Sequence, residues 1–380
     1  MRQQSAAALI EALVALTPPE QPDPGLALAL LDHPWRGADL DLLRCQADAL
    51  RRRLVGDQVT YVVNRNLNVS NHCVQHCSFC AFRRDPGQPG AYWLSLDDLQ
   101  QRARQAQLAG ATELCLQGGL NPEATVAGSQ LAYAEQLLTA LQQAAPGIHL
   151  HAFSPQELLF FAEQDGLPLE TVLERLQRCG LGSVPGTAAE VLSQRVRQRL
   201  CPEKLSARAW VAVVLQVHRR GLASTCTLMA GHIEQPADLV AHLLTLVAVQ
   251  AAARRRGLPG FSEFVLLPFI GAAAPAPLRR QVGRDQPDRA AMLRLTAQAR
   301  LILGAWIPAH QPSWVKLGLD GATEALRWGC NDLGGTLMEE HITTMAGARG
   351  GTAQPPAALQ AAARQLHRPV RQRTTLYGHL

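Results

Sequence analysis

Short apolar runs and longer amphipathic stretches alternate along most of the chain. The short runs are typical of buried strands, and the amphipathic stretches, which repeat apolar residues three and four positions apart, are typical of helices. The predicted strands cover 59–63, 113–116, 148–153, 182–184, 225–229 and 263–269, with 306–310 and 314–315 supplying a seventh. The predicted helices cover 95–109, 128–144, 168–179, 207–219, 236–255 and 289–303.

This alternation predicts an α/β protein built from consecutive βα units around a parallel sheet. Six or more units in a row favour a TIM-type barrel, partial or complete. Residues 1–57 are predicted to form an N-terminal helical extension that acts as a lid or a packing annex. Residues 58–305 are predicted to form the core barrel, and residues 306–380 are predicted to complete it and to form a cap on the substrate side. Because several predicted strands end in glycine, we expect the active site at their carboxyl ends.

Composition narrows the class of protein. The 380 residues are 47% hydrophobic and 18% charged, which excludes a disordered chain. The net charge of +5 is small and dispersed, so we expect no nucleic-acid partner. The apolar stretch 264–277 is broken by proline and glycine, and we expect no membrane span. No export signal is recognisable at the start, which predicts a cytoplasmic, reducing location.

The cysteines carry the strongest chemical signal. Nine cysteines without an export signal favour metal or redox chemistry over disulfides. Cys73, Cys77 and Cys80 follow the first predicted strand with the spacing Cys-x3-Cys-x2-Cys. Three thiolates can hold a 4Fe–4S cluster and leave one iron open for an outside ligand. The alternative is a structural zinc ion with His72 or His76 as the fourth ligand, and the spacing leaves both open.

Cys-x3-Cys-x-aromatic-Cys after the first strand resembles the signature of the radical S-adenosylmethionine (SAM) superfamily. The resemblance implies that Cys73, Cys77 and Cys80 bind three irons of a 4Fe–4S cluster. It implies that the fourth iron takes the amino and carboxylate groups of SAM, which one electron then splits to a 5'-deoxyadenosyl radical. The remaining residues that it implies for SAM are Phe79 near the adenine, Gln117, Gly118 and Gly119 near the amino group, Glu190 near the ribose or amino group, and Arg197 near the carboxylate. Leu120 stands where the superfamily has a glutamate.

Three later segments, 313–318, 329–340 and 371–377, resemble subunit 2 of FO synthase, the CofH type. That resemblance implies cleavage of L-tyrosine and transfer of its 4-hydroxybenzyl group to 5-amino-6-(D-ribitylamino)uracil, giving the precursor of the deazaflavin FO. It also implies a partner enzyme of the FO synthase subunit 1 (CofG) type and an electron-donor protein. A futalosine-pathway radical SAM enzyme is the alternative on the same scaffold, and a zinc-stabilised binding module is the non-enzymatic one.

Polar residues near the predicted strand ends are candidates for substrate binding or catalysis. They are His151, Glu157, His232, Glu234 and Glu263. Asn331 and Asp332 precede two glycines and are candidates to bind the uracil edge through amide and carboxylate hydrogen bonds. Each of these residues is also compatible with a structural role, and the general base stays unassigned.

Overall fold

The structure, a computed structural model, describes residues 5–378. The strands in chain order are β1 (Val59–Val62), β2 (Asn64–Asn68), β3 (Glu113–Gln117), β4 (His149–Ala152), β5 (Leu181–Val184), β6 (Ala223–Ala230), β7 (Phe261–Pro268), β8 (His310–Pro312), β9 (Asp332–Gly335) and β10 (Val370–Gln372). The helices are α1 (Ala6–Val14), α2 (Pro24–Asp32), α3 (Gly37–Val55), α4 (Leu96–Leu108), α5 (Gln130–Ala144), α6 (Pro155–Gln164), α7 (Leu169–Arg178), α8 (Gln194–Leu200), α9 (Ala207–Arg219), α10 (Pro236–Arg254), α11 (Ala276–Val282), α12 (Arg289–Leu303), α13 (Trp314–Ala325), α14 (Ile342–Met345) and α15 (Pro356–Arg364). Residues 1–4 of the predicted extension and 379–380 of the predicted cap lie outside the described residues.

Seven strands form one parallel sheet in the order β2-β3-β4-β5-β6-β7-β8, so neighbours in the chain are neighbours in space. Every position of β6 is buried, as expected of a strand covered on both faces. The helices between strands bury one face against the sheet; α7, for example, buries Val172, Leu173 and Leu176. Each such side chain contributes about 1.5–3 kcal/mol when it leaves water. The predicted α/β class with a partial TIM-type barrel is confirmed.

The two edges of the curved sheet are joined by a segment from the C-terminal part of the chain. The Asn331 amide donates to the His310 carbonyl of β8 at 3.1 Å, and the Asn66 amide of β2 donates to the Leu337 carbonyl at 2.9 Å. Within that segment β9 pairs with β1, and β1 pairs with β10, in a separate three-stranded parallel sheet. Residues more than 250 positions apart therefore share one wall of the barrel.

Two strand predictions were wrong. The run 59–63 is not the first barrel strand: β1 belongs to the small sheet, and the first barrel strand is β2, with the sequence NRNLN. Its inward residues Asn64 and Asn66 are polar and line the central cavity, so hydrophobicity gives no signal there. The predicted seventh strand is β8, His310–Pro312, whereas Trp314 begins helix α13.

The N-terminal helices pack on the outside of the barrel. Helix α3 contacts α12, and α2 contacts α10. The Asp23 side chain accepts from the Gly25 and Leu26 amides at the start of α2, and Pro24 occupies its first turn. None of residues 5–56 lines the central cavity. Their position is that of a packing annex, and no lid over the cavity is formed by them.

Helix α10 is long and apolar enough to cross a membrane by length and composition alone. In the fold, 56% of its most apolar window is buried. It packs against α2, α9 and α12, with Leu243, Leu246 and Val247 fully covered. Contact with three neighbours is the environment of a core helix.

Candidate active site

A cavity of about 400 Å³ opens at the carboxyl ends of the barrel strands. Each strand of the seven-stranded sheet, or the loop that follows it, contributes residues to its wall. The walls from β7 and its loop are apolar (Val265, Leu267, Phe269, Ile270), whereas the cysteine loop and the deep end are polar. Ligand sites of α/β barrels lie at this end of the strands.

The three clustered cysteines line this cavity together. Their loop is tied to neighbouring segments: the Ser78 amide donates to the Leu200 carbonyl of α8 at 2.8 Å, and the Val74 amide donates to the Leu120 carbonyl after β3 at 3.1 Å. All three are free thiols of intermediate exposure. The local spacing therefore leaves three unpaired sulfur donors at one end of a cavity.

Burial raises the pKa of the Cys77 thiol to about 12 and also raises the pKa of Cys73, while Lys204 acts in the opposite direction on both. A metal takes these ligands as thiolates, and binding displaces the proton. In residues 5–378, no three His, Cys, Asp or Glu side chains converge on the position of a single ion. In a 4Fe–4S cluster each cysteine binds a different iron, so convergence on one point is not required. The three thiols fit that cluster.

The two histidines of the zinc alternative lie outside the cavity wall. His76 Nδ1 is 3.3 Å from Glu203 Oε2, and His76 Nε2 is 2.7 Å from Arg83 Nη2. His72 keeps a buried Nδ1 without a partner, away from the lining. The cysteine set is therefore left with an open side toward the cavity.

Gly118 and Gly119 support the cysteine loop from behind. The Gly119 amide donates to the Ser70 carbonyl at 2.7 Å. A Cβ atom at Gly119 would overlap the His72 carbonyl and stand 2.9 Å from the Cys73 Cβ. The Gly118 amide donates to Glu157 Oε1 at 3.2 Å, and the same carboxylate caps helix α6 at Ser154. With Gln117, these residues line the cavity.

Glu190 lies in the cavity wall, and it is paired with a lysine that the sequence analysis did not identify. Lys204 Nζ is 2.6 Å from Glu190 Oε1 and 5.5 Å from the centre of the Phe79 ring. The Lys204 cation lowers the pKa of Glu190 against the effect of burial, and the carboxylate raises the pKa of the lysine. Phe79, Glu190 and Lys204 thus form one wall beside the cysteines.

Arg197 does not face the cavity, which corrects its assignment to the SAM carboxylate. Its guanidinium is buried and donates to the carbonyl oxygens of Ala188 (3.1 Å), Ala189 (2.6 Å) and Leu205 (3.0 Å from Nε). These bonds hold the loop that carries Glu190. The residue therefore positions the wall from behind, and a spacing of seven along the chain could not distinguish the two roles.

The deep end of the cavity holds a buried charged network. Arg373 donates to Asp332 (Nε to Oδ2, 2.5 Å) and to Glu263 (Nη2 to Oε2, 2.9 Å), and the Tyr377 hydroxyl donates to the same Glu263 oxygen at 2.5 Å. Burial raises the pKa of Glu263 to about 7 despite the arginine. His151 also lines this end, and burial lowers its pKa to about 4, so the imidazole is neutral near pH 7.

Four other candidates lie outside the cavity wall. His232 Nδ1 accepts from the Ile233 amide at 2.6 Å, and Glu234 accepts from the His232 amide at 2.9 Å, so both stabilise the turn after β6. Asn331 Oδ1 accepts from Arg300 and from the His310 amide, both at 2.9 Å. Asp332 is fully buried and holds Arg373. The structure therefore corrects the prediction that Asn331 or Asp332 contacts the uracil: both side chains bind protein groups and support the cavity wall.

Several wall residues come from segments far apart in the chain and carry no local motif. They are Asn64, Asn66, Glu113, Lys204, Gln311, Lys316, Glu340, Arg373 and Thr375. Lys316 and Arg373 lie inside segments 313–318 and 371–377, which were noted only for their family resemblance. Their place in these segments was the one feature of the sequence that could have indicated Lys316 and Arg373 as site residues.

The comparisons with known proteins agree with this architecture. The Radical SAM superfamily profile matches residues 67–247. Curated relatives named 5-amino-6-(D-ribitylamino)uracil–L-tyrosine 4-hydroxyphenyl transferase include one from Synechocystis sp., 54% identical over 94% of this chain and 91% of the relative, and one from Gloeobacter violaceus, 58% identical over 89% and 86%.

Two solved structures share the fold at low sequence identity. Methylornithine synthase (PylB) aligns with a TM-score of 0.72 at 14% identity, over 95% of this chain and 97% of that one. The FeFe-hydrogenase maturase HydG from Carboxydothermus hydrogenoformans aligns with a TM-score of 0.70 at 16% identity, over 98% and 80%. These two similarities concern the fold alone.

Proposed function

The chain belongs to the radical SAM superfamily and, within it, to the family of 5-amino-6-(D-ribitylamino)uracil–L-tyrosine 4-hydroxyphenyl transferases, and we propose that its cavity joins these two substrates. In this proposal the enzyme cleaves L-tyrosine and transfers its 4-hydroxybenzyl group to the uracil, giving the precursor of the deazaflavin FO. The observation that carries the proposal is identity above 50% along nearly the whole chain to relatives of that name. No comparison supports the futalosine enzyme or the zinc-stabilised module.

Cys73, Cys77 and Cys80 would hold a 4Fe–4S cluster, and SAM would bind beside Phe79, Gln117, Gly118, Gly119 and Glu190. When bound, the cluster and SAM supply the abstraction of a hydrogen atom from the substrate. Glu190 offers an acceptor to the amino group of a ligand at this wall, and its pairing with Lys204 fixes the carboxylate in place. Gly119 keeps the segment close enough for its backbone to support Cys73.

The residues of the chain also exclude water and orient polar groups. The apolar β7 wall limits solvent beside the reacting groups, which protects a reactive species from side reactions. At the deep end, Asn64, Glu113, His151, Glu263 and Arg373 offer donors and acceptors suited to a uracil ring or a phenol. Glu263 Oε2 is occupied by Arg373 and Tyr377, which fixes the carboxyl group in place. His151 and Glu263 remain the candidates for direct contact.

We further propose a cytoplasmic location, a partner enzyme of the FO synthase subunit 1 type that closes the deazaflavin ring, and an electron-donor protein. All nine cysteines are free thiols, which suits a reducing compartment. An anaerobic coupled assay tests the partner: with the subunit 1 enzyme added, the transfer product should convert to FO. Without it, the product should accumulate.

The experiment that tests the function is product analysis of the anaerobically reconstituted enzyme by mass spectrometry. With SAM, a reductant, L-tyrosine and the ribitylaminouracil, we expect a 4-hydroxybenzyl adduct of the uracil. Omission of either substrate should abolish the adduct. A parallel reaction with a futalosine-type substrate should leave that substrate unchanged, and its turnover without any adduct from tyrosine would contradict the proposal.

A further inference from the structure

The cations of this chain are almost entirely arginine. Of its 36 Lys and Arg residues, only Lys204 and Lys316 are lysine, and both line the cavity. An ammonium group is a compact charge with rotatable donors, and its pKa responds to burial far more readily than that of a guanidinium. Both lysines of the chain therefore lie in one cavity, where each can bind an anionic group.

Lys316 differs from the other cavity cations because its charge is unpaired. Among the described residues that line the cavity, Arg83 pairs with Asp85, Lys204 with Glu190, and Arg373 with Asp332 and Glu263. Lys316 makes no side-chain hydrogen bond or ion pair with any of residues 5–378. An unpaired ammonium group in a partly enclosed cavity is costly unless a ligand supplies the counter-charge.

The backbone around Lys316 is firmly held. The Trp314 indole donates to the Gly335 carbonyl at 3.0 Å, and the Val315 carbonyl accepts from the Gly350 amide at 3.0 Å. Trp314 and Val315 are both buried, so the next side chain is fixed at the cavity wall. The charge of Glu340 acts on Lys316, but no hydrogen bond joins the two side chains. The Glu340 carboxylate already accepts from the Thr343 amide at 2.8 Å and from the Thr344 amide at 3.1 Å.

We propose that Lys316 binds the carboxylate of the amino-acid substrate. This inference rests on the proposed function, in which tyrosine enters the cavity. Tyrosine carries a carboxylate, whereas the ribitylaminouracil carries none. The other cavity cations are already neutralised by carboxylates of the protein, and Lys316 is the one left to recognise an incoming anion.

The protonation of Lys316 is consistent with that role. Burial lowers the pKa of the ammonium group to about 8, while the carboxylates of Glu340 and Glu190 act in the opposite direction. A bound carboxylate would favour the charged form, so tyrosine binding should take up a proton above about pH 8. Tyrosine affinity should therefore weaken as the pH rises through that value.

The test compares L-tyrosine with tyramine, which lacks the carboxylate, by calorimetric titration of the reconstituted, SAM-loaded protein. We expect the wild type to prefer tyrosine by about 10- to 100-fold, the range of one charge-assisted hydrogen bond. Lys316→Met should bind both ligands equally weakly, and Lys316→Arg should recover part of the preference. Arg208→Met, which removes an exposed cation on α9, is the control of matched charge and should keep the full preference.

A second readout does not depend on any variant. Amine acylation at about pH 8.5, followed by peptide mapping, should label Lys316 and spare the paired Lys204, whose pKa is raised by Glu190. Saturating tyrosine should protect Lys316 from acylation, and tyramine should not.

Three results separate the possible failures. Wild-type protein that binds no tyrosine overturns the proposed function, and this inference with it. Wild-type protein that binds tyrosine, with a preference over tyramine unchanged in Lys316→Met, overturns the inference alone. Loss of SAM affinity in Lys316→Met with unchanged tyrosine affinity would assign the lysine to SAM and also overturns it.

Discussion

Gly119→Ala provides a sharp test of how the cysteine loop is held in position. A Cβ atom there would overlap the His72 carbonyl oxygen, and it would stand 2.7 Å from the His72 carbonyl carbon and 2.9 Å from the Cys73 Cβ. Non-bonded carbon atoms pack at about 3.5–4.0 Å, so the loop would have to retreat by roughly 1 Å. The backbone of Gly119 lies outside the left-handed region, so the effect would come from this contact alone.

The neighbouring glycine is a matched control. A Cβ at Gly118 would lie 3.3 Å from the Ser70 carbonyl oxygen and 3.9 Å from the Val69 Cβ, which needs a shift of only a few tenths of an ångström. Overpacking of a well-packed site costs about 1–3 kcal/mol, so Gly119→Ala should lower the free energy of unfolding by that amount. Gly118→Ala should stay closer to the wild type.

Two measurements check this prediction. Iron and sulfide content after anaerobic reconstitution should fall well below about four irons per chain in Gly119→Ala, because Cys73 is displaced with the loop. Urea unfolding of the cluster-free protein should show the loss of stability. Full iron content with wild-type unfolding in Gly119→Ala, or equal losses in the two variants, would refute the described packing of the glycine segment on the cysteine loop.

Three further predictions concern other parts of the site. Cys77→Ala should abolish SAM cleavage while urea unfolding of the cluster-free protein stays near wild type; wild-type release of 5'-deoxyadenosine would contradict the ligand assignment. Arg197→Met should lower the free energy of unfolding by about 1–3 kcal/mol per buried carbonyl left without a donor, and any loss of SAM affinity should accompany that loss of stability; weaker SAM binding with wild-type unfolding would restore its role as a SAM ligand. The pKa of Glu263 is raised to about 7, so the folded protein keeps a proton that the unfolded carboxyl group loses near pH 4.5, and the free energy of unfolding should fall as the pH rises from 4.5 to 7. Urea unfolding of Glu263→Gln should show a smaller fall over this range, and a pH profile identical to the wild type would contradict the raised pKa.

The sequence was informative where chemistry is local. Cys73, Cys77 and Cys80 fall within eight positions, so their spacing alone places them on one loop. The strands β3, β4, β6 and β7 are apolar at most of their buried positions, so hydrophobicity predicts them even though Glu113, His151 and Glu263 are buried on them too. Prediction failed for β2, because its inward residues Asn64 and Asn66 are polar and face the cavity rather than an apolar core.

Long-range convergence could not be predicted from the sequence. Arg373 meets Glu263 across 110 positions, and Lys204 meets Glu190 across 14 positions that include helix α8. Conversely, Asn331 was assigned to the substrate because polar residues before glycines suit a binding turn, whereas its side chain bonds Arg300 inside the wall. Whether a polar side chain points into the cavity or into the wall depends on the tertiary fold, and the neighbouring residues in the sequence do not determine it.

The most direct measurement of the central claim is transfer of an isotopic label from tyrosine to the uracil. The reconstituted enzyme is incubated anaerobically with SAM, a reductant, the ribitylaminouracil and L-tyrosine that carries carbon-13 throughout its ring. We predict an adduct of the uracil whose mass is increased by the full labelled ring, and none with Cys77→Ala. An adduct without the label, or consumption of SAM with no adduct at all, would contradict the assignment of this protein as the tyrosine-dependent transferase.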